Sequence, residues 1–497
     1  MNKLEHLRSW HSDWRNLRVG VIGLGVTGFS VADTLAELGA NQLVIAPKAE
    51  ADLVDILDVL GVPYLLGADA EANSNSGVPE QLIQLEPELI VTSPGVRPDS
   101  PIIEWAVAND IPIWTDIDLA WRLRDKTHRI AEWICITGTN GKTTTTQLTE
   151  AMLHAGGKRV AACGNIGTPV LDAIRDPEGF DALVLELSSF QLHYLQPISP
   201  IASAVLNIAE DHLDWHGGFA NYAKTKGKVY ENTQLACVYN VADSATRNLV
   251  EDADVIEGAR AIGFTLGSPG RAEVGYVEDI LVDRAFVESY DSAMPIADLE
   301  DIAAIGVVTP HLLANVAAAS ALALAVGIER QSIRNAIRNF KLDHHRIELV
   351  AEANGVTWID DSKATNPHAT SASLASFESV VWVVGGLLKG VDITPLVEKF
   401  APKLRAAIVI GTDREPVLAA LASAASQVPV FEVTTEDKAM VMSTVVSYAA
   451  QVAKPGDTVL LAPASASMDQ FKDYADRGNQ FAAAVQALLQ QGGRSNG

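Results

Sequence analysis

Cysteine is scarce in this chain: Cys135, Cys163 and Cys237 are the only three in 497 residues. Their spacing fits no zinc pattern and no even disulfide set, which favours a reducing, cytoplasmic setting. Basic residues are also few, 37 against 62 acidic, for a formal charge of -25. A nucleic-acid binder needs a basic footprint, so that class is excluded. No apolar run approaches the ~20 residues that a membrane helix requires. The polar start, Met1-Asn-Lys-Leu-Glu-His-Leu-Arg-Ser-Trp10, lacks the apolar core of a signal peptide. There is no fixed-period repeat, and no Ser-His-Asp or Cys-His signature of covalent catalysis.

What is present is the composition of a globular enzyme, 48% hydrophobic and 20% charged. At about 150 residues per domain the length suggests roughly three domains. We place them at 1–128, 129–342 and 343–497. Short apolar strands, among them Arg18–Gly23, Trp133–Thr137, Ala182–Glu186, Ala202–Leu206, Ser379–Gly385, Ala406–Gly411 and Asp457–Ala462, alternate with helical stretches. That pattern predicts an α/β fold of parallel sheets covered by helices. Leu312 to Val326 reads as a buried Ala/Leu helix, 251–300 as peripheral strands and loops, and 68–79 as a surface loop. Ligands of such sheets lie beyond the carboxyl ends of the strands.

The strongest motif is there. Gly138-Thr-Asn-Gly-Lys-Thr-Thr144 joins a strand to a helix, so its backbone N–H groups face an anion. Lys142 brings a point charge to phosphates, and Thr143 a hydroxyl to Mg²⁺. Ile136 stands where the full Walker pattern has its first glycine. Gly23-Leu-Gly-Val-Thr-Gly28 is a GxGxxG loop, but Ala46-Pro47-Lys48 follows the second strand where NAD binding needs an acid. Glu186, at a strand end on the same sheet edge, suits Mg²⁺ held by phosphate oxygens, although alone it would read as a solvated rim residue.

The phosphate loop resembles that of the Mur ligase family, which includes the folylpolyglutamate synthases. Further segments match in order: Gly164–Gly167, Glu186–Gln191, Asn207–Asp214, His345-Arg346, Asp361–Asn366 and Ala464–Phe471. Asp361-Ser-Lys-Ala-Thr-Asn366 after His345-Arg346 points to the branch that adds D-glutamate. The resemblance implies a Rossmann-like N-terminal domain, a central P-loop-type ATPase domain with a parallel sheet and a Rossmann-like C-terminal domain. It further implies ATP-driven amide formation on UDP-N-acetylmuramoyl-L-alanine in peptidoglycan synthesis, by a monomer using two Mg²⁺ ions.

It also assigns residues. The nucleotide falls to Gly138, Thr139, Asn140, Gly141, Lys142, Thr143, Thr144, Asn315, Arg346 and Asp361. The UDP-substrate falls to Gly25, Thr27, Ser93, Asn165 and Ser188. D-Glutamate falls to Lys363, Thr365, Lys389, Ser467 and Tyr474. Metal falls to Thr143, Glu186, His212 and Lys226 as its carbamate, with Lys142, His212 and Lys226 as the catalytic set. Lys224 and Lys228 are the rivals of Lys226 in that register. Where family members usually have asparagine after His311, this chain has Leu312. Other readings are a sibling ligase or folylpolyglutamate synthase-like enzyme, a dehydrogenase, and a non-catalytic nucleotide sensor.

Overall fold

Parallel strands alternate with helices along the chain, and the computed structural model describes residues 3–67, 70, 77–289, 291–388, 390–435 and 437–494. Lys389 and most of the loop expected at 68–79 lie outside them. The first sheet holds β1 (Arg18–Ile22), β2 (Asn41–Ala46), β3 (Tyr64–Leu66), β4 (Leu89–Thr92) and β5 (Ile113–Trp114). Its order is β3-β2-β1-β4-β5, parallel throughout. The order reverses between β1 and β4, where an open α/β sheet leaves a crevice. The Gly23 loop and Ser93 follow these two strands.

The second sheet holds β6 (Glu132–Thr137), β7 (Val160–Gly164), β8 (Ala182–Glu186), β9 (Ala202–Val205), β10 (Ala236–Asn240), β11 (Arg260–Phe264), β12 (Glu273–Val277), β13 (Ile280–Asp283) and β14 (Met294–Asp298). They run β14-β13-β12-β11-β10-β9-β6-β8-β7. The strands from β7 to β12 are parallel, and β13 and β14 add an antiparallel flank. β8 is buried at every position, as expected of an apolar strand covered on both faces.

The third sheet holds β15 (Glu348–Ala353), β16 (Val356–Asp360), β17 (Val380–Gly385), β18 (Leu404–Ile410), β19 (Val430–Glu432) and β20 (Thr458–Leu461), in the order β15-β16-β20-β17-β18-β19. Only β15 with β16 is antiparallel. Their turn is Asn354-Gly355, both residues at positive φ (54° and 75°), the left-handed pair a tight hairpin demands.

The chain divides into two compact units, Met1–Asp298 with Ala314–Ile337, and Leu299–Leu313 with Arg338–Gly497. The first carries two sheets and the second carries one. The Ala/Leu helix runs Pro310–Ala325, so it begins in the second unit's sequence and continues in the first. No helix among the described residues is long and apolar enough to cross a membrane.

Candidate active site

Four neighbouring strands of the second sheet, β9, β6, β8 and β7, present their carboxyl ends at one edge. Beyond β6 the Gly138 loop turns into the helix Lys142–Ala155, with Gly141 as its N-cap at φ 82°. No side chain caps that end, and the positive end of the helix dipole there favours an anion. Asn207, beyond β9, clamps the loop from the side. Its Oδ1 accepts from Asn140 N (2.9 Å) and its Nδ2 donates to Asn140 O (3.0 Å). Thr139 Oγ1 lies 2.9 Å from Tyr222 Oη and accepts from Ala209 N (3.0 Å). Lys142 Nζ folds back onto the loop, donating to Gly138 O (3.0 Å) and Thr139 O (2.9 Å). Thr143 and Thr144 are buried in the first turn. Asn315 packs on this loop: its Oδ1 accepts from Thr145 Oγ1 (3.3 Å) and occupies the space a Cβ on Gly141 would take.

Glu186, 2% exposed, ends β8 beside the loop. Its Oε1 accepts from Asn165 Nδ2 (2.9 Å), while Oε2 is buried with no hydrogen-bond partner. An unsatisfied buried carboxylate oxygen costs about 1–3 kcal/mol or more, so it calls for a cation or donor. Lys226, also 2% exposed, reaches the same place, with Nζ donating to Gly138 O (2.9 Å) and Thr137 Oγ1 (3.3 Å). Burial, then the Lys142 charge, pushes its amine well below the ordinary lysine range. Of its rivals, Lys224 is exposed and Lys228 donates to His193 O (2.7 Å). His212 is left-handed (φ 52°), its side chain 48% exposed, with Nε2 3.6 Å from Asp211 Oδ2 and its ring against Phe190. Glu186 and Thr143 offer the hard oxygen donors that Mg²⁺ prefers, so these residues fit that ion.

Of the residues expected to meet the UDP-substrate, Gly25 is the uncapped N-cap of the helix Val26–Glu37. Thr27 lies in its first turn, half-buried. Ser93 closes on the loop from β4, where its Oγ would collide with a Cβ on Gly23. Ser188 is spent locally: its Oγ accepts from Gln191 N (3.2 Å) in a capping box, and Gln191 Oε1 accepts in return from Ser188 N (3.0 Å). Asn165 is committed to Glu186 as described.

In the second unit, Asp361 is buried and burial pushes its carboxyl up to about 7, against the Ser373 hydroxyl, the Ile347 N–H and the Arg346 charge. Lys363 Nζ lies 3.8 Å from Asp343 and 5.5 Å from the Tyr474 ring centroid. Thr365 is half-buried, and Ser467 is 3% exposed. Sequence reasoning quoted His345 only as part of a motif and passed over Glu348 and Asp360. The three cluster closely, with His345 Nδ1 2.7 Å from Asp360 Oδ2 and His345 N donating to Glu348 Oε2 (2.8 Å). The Asp360 hydrogen bond raises the His345 pKa. The helix Tyr474–Arg494 meets this pair at Gly478, where a Cβ would overlap His345 Nδ1. His216 and Arg477 are buried too. Nothing local marks either; Asn354-Gly355 was the one missed feature with a plain sequence signal.

Glycine loops at the carboxyl ends of parallel strands fit an α/β nucleotide-binding class, and comparison with known proteins narrows it. Residues 17–115 match the Mur ligase MurD-like N-terminal domain, 136–323 the Mur ligase middle domain, and 345–465 the Mur ligase glutamate ligase domain. The chain belongs to the Mur ligase family. A protein of Leifsonia xyli subsp. xyli named UDP-N-acetylmuramoylalanine--D-glutamate ligase is 56% identical, covering 100% of this chain and 97% of its own. One of the same name from Streptomyces avermitilis is 47% identical over 96% of this chain and 99% of its own. The fold is shared with the UDP-N-acetylmuramate-alanine ligase MurC of Thermotoga maritima (TM-score 0.55, 18% identity, 95% of this chain and 99% of that one). It is shared as well with a pseudomurein peptide ligase type C from Methanothermus fervidus (TM-score 0.55, 16% identity, 95% and 100%).

Proposed function

We propose that this chain is an ATP-dependent amide ligase that joins D-glutamate to UDP-N-acetylmuramoyl-L-alanine in peptidoglycan synthesis. The observation that carries the chemistry is the meeting of Lys142 and Lys226 on one carbonyl, Gly138 O, beside the half-unpaired carboxylate of Glu186. The amino acid is assigned from the relatives, whose common name specifies D-glutamate over essentially the whole chain.

A carboxylate attacking the γ-phosphate meets anion–anion repulsion, which the loop N–H groups and Lys142 reduce. ADP leaves and an acyl phosphate remains. The D-glutamate amine attacks its carbonyl carbon, phosphate departs with the bonding pair, and an amide is formed. No protein nucleophile is needed. Glu186, Thr143, His212 and Lys226 would hold two Mg²⁺ ions, which supply further positive charge to the phosphate oxygens. A Lys226 ammonium would repel such ions. Burial, which disfavours the ammonium, favours the amine form that adds to CO₂, giving a carbamate and releasing one proton; the carbamate is anionic.

Gly138 to Thr144, Asn315, Arg346 and Asp361 are the residues assigned to the nucleotide. Gly25, Thr27, Ser93, Asn165 and Ser188 are assigned to the UDP-substrate, and Lys363, Thr365, Lys389, Ser467 and Tyr474 to D-glutamate. We assign these roles to three domains bounded near residues 128 and 342, in a cytoplasmic monomer. Phosphate release with ATP, Mg²⁺ and UDP-N-acetylmuramoyl-L-alanine tests the whole reading. Release should depend on D-glutamate; release that follows L-glutamate or L-lysine instead would move the chain to a sibling activity.

A further inference from the structure

Arg477 is the only buried arginine among the described residues, at 0% exposure. It lies in the first turn of the helix Tyr474–Arg494. Arginine is rarely taken out of water without a carboxylate partner, because the desolvation cost is large. Here all its bonds go to neutral groups. Nε donates to Ser362 Oγ (2.9 Å), Nη2 to Ser362 O (2.8 Å) and Nη1 to Ser465 O (3.1 Å). The carboxylates within electrostatic reach, Asp360 and Asp469, are engaged elsewhere. Asp360 pairs with His345 Nδ1 (2.7 Å) and accepts from Ser362 N (2.9 Å), and Asp469 accepts from Thr412 N (2.9 Å). Burial lowers the guanidinium pKa to about 10, which still leaves it charged at neutral pH.

The bonds tie three segments that are distant in sequence. Ser362 belongs to the stretch that carries Lys363 and Thr365, and Ser465 to the stretch that carries Ser467. Ser362 Oγ passes the connection on by donating to Tyr474 O (2.7 Å). Next to Ser465, Ala466 exchanges two backbone bonds with Leu387 (2.9 and 3.1 Å), extending the tie to the segment after β17. The planar fork suits this task, because its donors sit at fixed angles to one another. A neutral amide carries two N–H donors and could make at most two of these three bonds. The guanidinium makes all three and brings a buried positive charge to the same place.

We propose that Arg477 is a positioning residue for the incoming amino acid: it holds the Ser362 and Ser465 loops at a fixed spacing and gives their pocket a standing positive bias toward a dicarboxylate. This rests on the assignment of Lys363, Thr365, Ser467 and Tyr474 to D-glutamate made above. Arg477 acts through those residues and does not itself contact the substrate.

The test is steady-state phosphate release by the full chain, varying each of the three substrates in turn, for wild type, Arg477→Lys, Arg477→Met and Ser362→Ala. Arg477→Lys keeps the charge and loses the fork. It should raise KM for D-glutamate on the order of tenfold, with KM for ATP and for the UDP-substrate within about twofold of wild type. Arg477→Met should raise it further, and Ser362→Ala severalfold. Equal rises in all three KM values, or a loss confined to kcat, would overturn the assignment. If neither Arg477 variant folds, Ser362→Ala decides: an unchanged KM for D-glutamate there also overturns it. Wild type lacking any D-glutamate dependence would overturn the proposed function, and this assignment with it. Dependence in wild type with unselective variants overturns this assignment alone.

Discussion

At the scale of single residues, charge placed without water decides what each group does. Lys142 Nζ donates to two carbonyls of its own loop, bonds that phosphate oxygens would replace in the proposed reaction. Lys142→Ala should therefore lower turnover by about a thousandfold, with the Kd of the UDP-substrate held within about twofold. Calorimetry with that substrate alone checks the second half, and equal loss of both would break the division of labour. Lys226→Ala removes the amine that carbamylation needs, and a small added carboxylate should restore part of the activity. Titrating acetate or formate into the variant reads this; a flat response would leave Lys226 as an ordinary buried amine. The phosphate loop was legible because glycine, lysine and threonine in register are read from consecutive positions. His216 was not, since Phe190 and Tyr222, whose rings pack near it, are brought there only by folding. Burial and His193 push its pKa down to about 4.

At the scale of elements, strand ends and turns carry the site. Gly141 has a left-handed backbone, and a side chain there would also displace Asn315. Gly141→Ala should cost about 1–2 kcal/mol from the backbone alone and raise KM for ATP, as measured by thermal unfolding and steady-state rates. Unchanged stability with unchanged KM would mean that the loop adapts. Most strands were readable as apolar runs, β8 most plainly, because a strand buried on both faces needs no alternation. The 251–300 stretch, expected as peripheral strands and loops, contains the antiparallel β13 and β14, but pairing direction leaves no mark on so weak a pattern. The β15–β16 hairpin had its signal in Asn354-Gly355, and reading short motifs only for ligands passes over it.

At the scale of the whole molecule, buried carboxylates give stability its pH dependence. Burial raises Asp116 from 3.8 to about 7, and its Oδ1 has no hydrogen-bond partner. An aspartate so raised keeps its proton in the folded chain after the unfolded chain has lost it, so its contribution falls as pH climbs through that window. Asp116→Asn cannot ionise. Its Tm relative to wild type should improve between pH 5 and pH 8, and a constant or opposite difference would contradict the shift. The overall α/β plan was legible from alternation, whereas the allotment of 299–313 to one unit and 314–337 to the other was not. An uninterrupted helical pattern across Pro310–Ala325 gives no sign of such a division.

That allotment has a meaning for how the protein is made. Translation delivers the phosphate loop early, but Asn315, whose side chain fills the space beside Gly141, leaves the ribosome more than a hundred residues later. In between, the chain has already laid down the first stretch of the other unit, Leu299–Leu313. A nascent chain stopped at Asp298 would thus own every strand of its first two sheets and still lack the prop of its nucleotide loop. That loop therefore gains its last neighbour only when the chain has begun both of its units.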